Sequence, residues 1–138
     1  MTLIFREAKI DDVSALVQLM DQLGYDITPA TLAKNLQFYA PCVLVAELDE
    51  QVVGCIAYQI LPLFHTEAKH LRIVSLIIDK QHRGKGIGKQ LLQQIEERAK
   101  GCEYVELTSG SHRKEAHQFY RKQNYSSEET VHFRKKSV

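Results

Sequence analysis

A mixed α/β sheet is the fold class this sequence predicts, and three observations predict it. Short apolar, β-branched runs alternate along the chain with amphipathic stretches of helical period. Two of the runs, in CVLVAELDEQVVGCIAYQIL, flank a polar turn as the strands of a hairpin do. A third, HLRIVSLIID, leads through a glycine-rich loop into an amphipathic helix. The 138 residues fit a single domain, 1–138, with no internal repeat, linker or low-complexity segment. A domain of this size buries roughly two-thirds of its unfolded surface, enough for a core without disulfides or metal.

Each element has a local reason. TLIFREA reads as the first strand. Val13, Leu16, Val17, Met20 and Leu23 then recur at helical spacing, with Asp11 or Asp12 as the cap and Gly24 as a left-handed close. Thr28-Pro29 starts a second helix, a capping hydroxyl followed by proline at the first helical position. Leu32, Leu36 and Tyr39 form its apolar stripe, and Pro41 stops it. The hairpin turns at Asp49-Glu50-Gln51. HLRIVSLIID is apolar at almost every position after Arg72, the pattern of a central strand buried on both faces. Ile87, Leu91, Leu92, Ile95 and Ala99 make the stripe of the next helix. EYVELTS reads as a strand, SHRKEAHQFYRKQNY as a helix closed by Asn124 in a left-handed conformation, and VHFRK as a last strand. The predicted order is β-α-α-β-β-β-α-β-α-β.

Composition excludes several classes. Hydrophobic residues make up 44% and charged residues 25%, which argues against disorder. Eighteen Lys and Arg balance seventeen Asp and Glu, so no global field draws nucleic acid or an anionic membrane. The three cysteines are widely spaced with no C-x-x-C, as expected of reduced cytosolic thiols. MTLIFREAKIDD carries charges where a signal peptide needs an apolar run, and no stretch is long enough to span a membrane. The expectation is a soluble, cytoplasmic protein. His65/His70 and His112/His117 are five apart, a spacing that puts helical residues on different faces, and no cysteine completes a metal set. No metal is expected.

The chemistry concentrates in QHRGKGIGKQLL. Three of the seven glycines fall within five positions at a strand-to-helix junction, beside Arg83 and Lys85. The first turn of a helix exposes unpaired amides and the positive end of the macrodipole, and a loop without β-carbons lets an anion approach them. This is a cradle for phosphate or diphosphate. A nucleotide-hydrolysing P-loop is excluded because no Ser or Thr follows either lysine. The dinucleotide fingerprint G-x-G-x-x-G fails because the glycines stand at the first, third and fifth positions of GKGIGK.

The loop resembles the acyl-CoA-binding motif of the GNAT family of N-acetyltransferases: Gln or Arg, two residues, Gly, one residue, Gly or Ala. Gln81, Gly84 and Gly86 fill those positions. The family's later A-x-x-F-Y-x-x-x-G and aromatic are matched by Ala116, Phe119, Tyr120 and Tyr125, with Asn124 replacing the glycine. The resemblance implies the GNAT-like acyl-CoA N-acyltransferase fold, a mixed, mostly antiparallel central sheet flanked by helices. It also implies acetyl-CoA as acyl donor and an N-acetyltransferase working by direct attack in a ternary complex. The pantetheine arm would lie along the backbone of Leu76, Ile77 and Ile78. The diphosphate would sit on the amides of Arg83, Gly84, Lys85, Gly86, Ile87 and Gly88. Tyr120 matches the tyrosine that protonates or hydrogen-bonds the departing CoA sulfur. Arg113 stands where many relatives have an asparagine that contacts the cofactor arm.

The implied acceptor is a primary amine, a small molecule by preference. Such an amine is neutral in only about one molecule in 2,500 at pH 7, so a base or a water chain to one is expected. Relatives often carry a carboxylate where this chain has Ser75. Ser75 as a water-orienting group, Glu47, Glu67 and His65 are the candidates, and Asp26, Glu128 and Glu129 are candidate attractors of a cationic amine. An aminoalkylphosphonate-type or protein N-acetyltransferase is one alternative, and a non-catalytic CoA-binding sensor is another. Homodimers are frequent in the family, so a homodimer is a further expectation, with no nucleic-acid or membrane partner.

Overall fold

The computed structural model describes residues 2–137 and divides after Glu106 into two compact units. The first unit, residues 1–106, carries β1 (Leu3–Glu7), α1 (Val13–Gln22), α2 (Pro29–Tyr39), β2 (Val43–Leu48), β3 (Gln51–Pro62), β4 (Lys69–Ile78), α3 (Ile87–Arg98) and β5 (Tyr104–Glu106). Short 3-10 turns at Ile10–Asp12 and Lys80–His82 precede α1 and follow β4. The strands lie in the order β1-β2-β3-β4-β5, antiparallel except for the β4–β5 pair.

Alternation along the strands sends side chains to two helical layers. Val43, Val45, Cys55 and Ile77 join Val13, Leu16, Leu19, Leu32 and Leu36 from α1 and α2 in one core. On the other face α3 packs on β2, β3 and β4 and buries Ile87, Leu91, Leu92, Ile95 and Ala99, the predicted stripe. Full burial of a Leu or Ile is worth about 1.5–3 kcal/mol, so α3 is strongly anchored.

Local signals hold at several boundaries. Thr28 Oγ1 accepts the Thr31 amide at 3.1 Å, with Pro29 at the start of α2. Gly24 closes α1 at φ +86°, with Tyr25 N donating to Met20 O at 3.1 Å. The hairpin is tighter than expected: Asp49 and Glu50 alone form the turn, both at positive φ, and Gln51 already pairs with Leu48.

Three expectations are corrected. Asp12 sits at the start of α1 but makes no side-chain cap to it. Its carboxylate accepts the Lys9 amide and pairs with Arg6 instead. The central strand β4 is not buried on both faces, because register shifts at Val74 between the pairs Tyr58–Ile73 and Ala57–Ser75. This bulge leaves Val74 40% exposed. The last strand is absent from the described residues.

The second unit, residues 107–138, holds α4 (Lys114–Lys122), and residues 130–137 form no regular element. Val131 and Phe133 are 75% and 88% exposed, so the apolar positions of VHFRK find no face to bury against and the strand period is idle. Asn124 follows α4 at φ +69°, as its helix-closing role predicts.

Candidate active site

The site begins where β4 ends. β5 pairs only with the opening of β4, through His70–Tyr104, Leu71–Val105 and Arg72–Glu106. Beyond the bulge, Ser75–Ile78 extend past the last residue of β5 while remaining paired to β3. Leu76, Ile77 and Ile78 are in this stretch, with Ile77 buried in the α1/α2 core.

From β4 the chain makes the 3-10 turn Lys80–His82 and reaches the glycines. Gly84 has φ +79° and Gly86 φ +82°, a left-handed region that costs an ordinary L-residue about 1–2 kcal/mol. A Cβ at either would meet nothing within 4 Å, so the requirement comes from the backbone and the space above it is open. α3 then starts at Ile87, and its first internal bond runs from Gln90 N to Gly86 O at 3.1 Å. The amides of Ile87, Gly88 and Lys89 therefore lie ahead of the helical ladder, and Gly86 supplies no side-chain cap. Arg83 donates from Nε to the Ile78 carbonyl at 3.0 Å, which ties its exposed side chain back to the end of β4. Lys85 is exposed at the tip. Uncapped amides, a helix N-terminus, open glycine backbone and two cations suit a diphosphate, and the unshared length of β4 suits an extended amide-bearing arm.

The loop is tied down by a residue that sequence reading missed. Asp79 Oδ1 accepts Gln22 Nε2 at 2.7 Å, and Oδ2 accepts the Gln81 amide at 3.2 Å and His82 Nδ1 at 2.7 Å. The Lys80 amide donates to Gln22 Oε1 at 2.9 Å, and Asp79 N donates to Val53 O at 2.8 Å. These bonds, with Gln22 first and His82 next, hold the Asp79 carboxyl below its usual pKa. An Asp directly after a strand and before a turn was the available signal.

The base candidates separate. Glu47 Oε1 accepts Arg6 Nε and Nη2 at 3.1 and 2.9 Å, while Arg6 also grips both oxygens of Asp12. Glu47 lines an open groove of about 480 Å³ with Asp11, Asp12, Glu50, Asp79 and His82, whose acidic rim disfavours a diphosphate. Glu67 and His65 lie exposed in the β3–β4 connection, and Asp26 is exposed between α1 and α2. Ser75 is half-buried on β4. A carboxylate not singled out in the sequence, Glu106, stands at the end of β5 with Oε2 at 3.5 Å from His70 Nδ1 and Oε1 at 3.5 Å from Arg72 Nη1. His70 Nε2 is buried without a hydrogen-bond partner among the described residues. Only strand register brings these three together, so no local motif announces them.

In the second unit, Tyr120 lies on α4 with its ring edge-on to Phe119 and to Tyr125 at centroid distances of 5.3 and 6.0 Å. Burial raises its phenol above the ordinary tyrosine value, and the charge of Arg113, one residue before α4, opposes that rise. Glu128 and Glu129 are exposed beyond the helix. Among the described residues no cluster of three or more His, Cys, Asp or Glu gathers for a metal, and no helix is long and apolar enough to cross a membrane.

The chain is 38% identical over 77 residues to the Bacillus subtilis protein YdhI, a match spanning 54% of this chain and 43% of that one. It is 32% identical over 128 residues to an aminoalkylphosphonate N-acetyltransferase of Salmonella typhimurium, covering 90% of this chain and 81% of the relative. A crystal structure of a GNAT family acetyltransferase from Staphylococcus aureus superposes with a TM-score of 0.79 at 27% identity, over 99% of this chain and all of the other. The profile of the acetyltransferase (GNAT) family matches residues 13–125. The glycine loop, the half-paired β4 and the α4 tyrosine are thus found in a chain that belongs to the GNAT family of acetyltransferases.

Proposed function

We propose that the protein is an acetyl-CoA-dependent N-acetyltransferase that moves the acetyl group to a primary amine of a small molecule by direct attack in a ternary complex. The observation that carries this reading is the β4–α3 loop, with two left-handed glycines leading into three amides outside the helical ladder of α3. Those amides and Arg83 and Lys85 hold the diphosphate, and the backbone of Leu76, Ile77 and Ile78 receives the pantetheine arm. The nitrogen lone pair of the amine forms the new bond to the thioester carbonyl carbon as the carbon–sulfur bond breaks. Tyr120 gives or shares its proton with the leaving sulfur. The proton released by the amine passes to Glu106, directly or through water, with Ser75 orienting that water.

Direct attack is favoured over an acyl-enzyme. Cys55, the fully enclosed thiol, has its pKa pushed up to about 12 by burial, so it carries no thiolate for acyl capture. The likeness to an aminoalkylphosphonate N-acetyltransferase supports including phosphonate-bearing amines, beside protein N-termini, in the acceptor search.

The test is a panel of amines incubated with protein and acetyl-CoA, read as free CoA thiol. Turnover with at least one amine, lost in Tyr120→Phe with cofactor affinity retained, is the expected result. Tight acetyl-CoA binding with no thiol release from any amine would instead mark a CoA-binding module. Absence of binding at millimolar cofactor overturns both.

A further inference from the structure

We infer that Gln22, the last residue of α1, is a positioning residue for the diphosphate loop, acting through Asp79. The inference rests on the reading of that loop as the diphosphate site.

The geometry is that of a clip. Gln22 uses both ends of its amide on consecutive residues: Nε2 donates to Asp79 Oδ1 at 2.7 Å and Oε1 accepts the Lys80 amide at 2.9 Å. The other Asp79 oxygen collects the Gln81 amide and His82 Nδ1. Every residue from 79 to 82 is thereby bonded to Gln22 or to the carboxylate that Gln22 holds. The next residue is Arg83, whose Nε is on the Ile78 carbonyl, and the left-handed glycines follow directly. Upstream, Leu16 and Leu19 anchor α1 in the core, so the clip transmits a rigid position to the segment that aims the loop amides. Asp79 is half-buried and its carboxylate only accepts, so His82 Nδ1 carries its proton in this contact.

A donor-selectivity experiment separates this role from general stability. Acetyl-CoA and acetyl-pantetheine share the thioester and the arm, but only the first has the diphosphate. Gln22→Glu removes the donor and sets a second carboxylate against Asp79 at hydrogen-bond distance. Its expected effect is a fall of about ten-fold in the ratio of kcat/KM for acetyl-CoA to that for acetyl-pantetheine, carried by KM for acetyl-CoA rather than kcat. Gln22→Ala, which only deletes the clip, is expected to lower the ratio less, and it replaces Gln22→Glu in the test should that variant not fold. The double variant Gln22→Glu/Asp79→Asn reverses the bond, since an amide at position 79 donates to the carboxylate at 22 while its carbonyl still accepts from Gln81 and His82. It is expected to restore the ratio to within about three-fold of wild type.

A ratio unchanged in both Gln22 single variants overturns the inference, as does a double variant whose ratio is no closer to wild type than that of Gln22→Glu alone. Failure of the wild-type protein to bind acetyl-CoA at all would instead sink the diphosphate reading beneath it.

Discussion

Replacing Gly86 perturbs the loop in two ways that can be measured apart. The backbone there is at φ +82°, ψ 7°, and a Cβ would meet nothing within 4 Å. The stability cost is therefore conformational alone, about 1–2 kcal/mol for Ala, larger for β-branched Val and smaller for Asn, which tolerates the left-handed region. Thermal unfolding of Asn, Ala and Val variants should follow that order. Affinity for acetyl-CoA should follow another. An amide bonded to a charged oxygen contributes about 1.5–3 kcal/mol, so a side chain that holds the diphosphate off even one amide weakens Kd by roughly ten- to a hundred-fold. Gly86→Asn is the decisive member, expected to be near-native in Tm yet at least about ten-fold weaker by calorimetry. If folded Asn and Val variants both bind acetyl-CoA within about two-fold of wild type, the loop does not grip the diphosphate and the reasoning fails.

Other outcomes follow from the same structure. Tyr120→Phe should lower kcat by about 10²-fold with KM for acetyl-CoA retained. Because burial raises the Tyr120 phenol, its proton is kept through neutral pH and any loss of activity from its ionisation falls above about pH 10. Removing the opposing charge in Arg113→Gln should move that limb higher still. Glu106→Gln should reduce kcat/KM for the amine by about 10²-fold, and an unchanged value would exclude Glu106 as the proton acceptor. Arg6→Met should destabilise the fold by about 3–5 kcal/mol in urea, since it strands the buried Asp12 carboxylate. The Asp12 pKa is lowered in the folded state, first by its bond to Arg6. Its contribution to stability is thus complete above the unfolded value near 3.9 and lost as pH falls through the folded one, and in Arg6→Met that acid-dependent loss should shrink, because the bond that lowers the Asp12 pKa is gone. Cys42 and Cys102 should react with a thiol reagent in the native protein while Cys55 reacts only on unfolding, counted by mass spectrometry.

What the sequence revealed was whatever is encoded within a few residues. The stripe of α3, the Thr28 cap, the hairpin and the left-handed Asn124 each depend on neighbours one turn or less away, and each is found. The glycine loop belongs to this class, since positive φ at Gly84 and Gly86 is written in the residue type itself. The bulge at Val74 is not local, because it exists only in register with Ala57 and Tyr58. Arg6 reaches Glu47 across 41 positions and Gln22 reaches Asp79 across 57, with no composition signal at either end. The strand expected in VHFRK failed for the complementary reason, as alternation makes a strand only where a sheet offers an edge and a core takes one face.

The same division explains how the site is assembled. Local rules make a loop that is able to receive an anion, but glycines that permit unusual backbone also loosen it. Nothing within the glycine stretch opposes that looseness; Arg83 closes back only on Ile78. The opposing constraint comes from far along the chain, through a polar side chain at the end of a well-packed helix and one carboxylate that gathers three donors around the loop's first turn. Permissive backbone held by distant hydrogen bonds is the condition under which amides stay aimed before a ligand arrives. A family motif therefore marks the residues proposed to meet the ligand, whereas the residues inferred to keep those amides in place, Gln22 and Asp79, are visible only once the chain is folded.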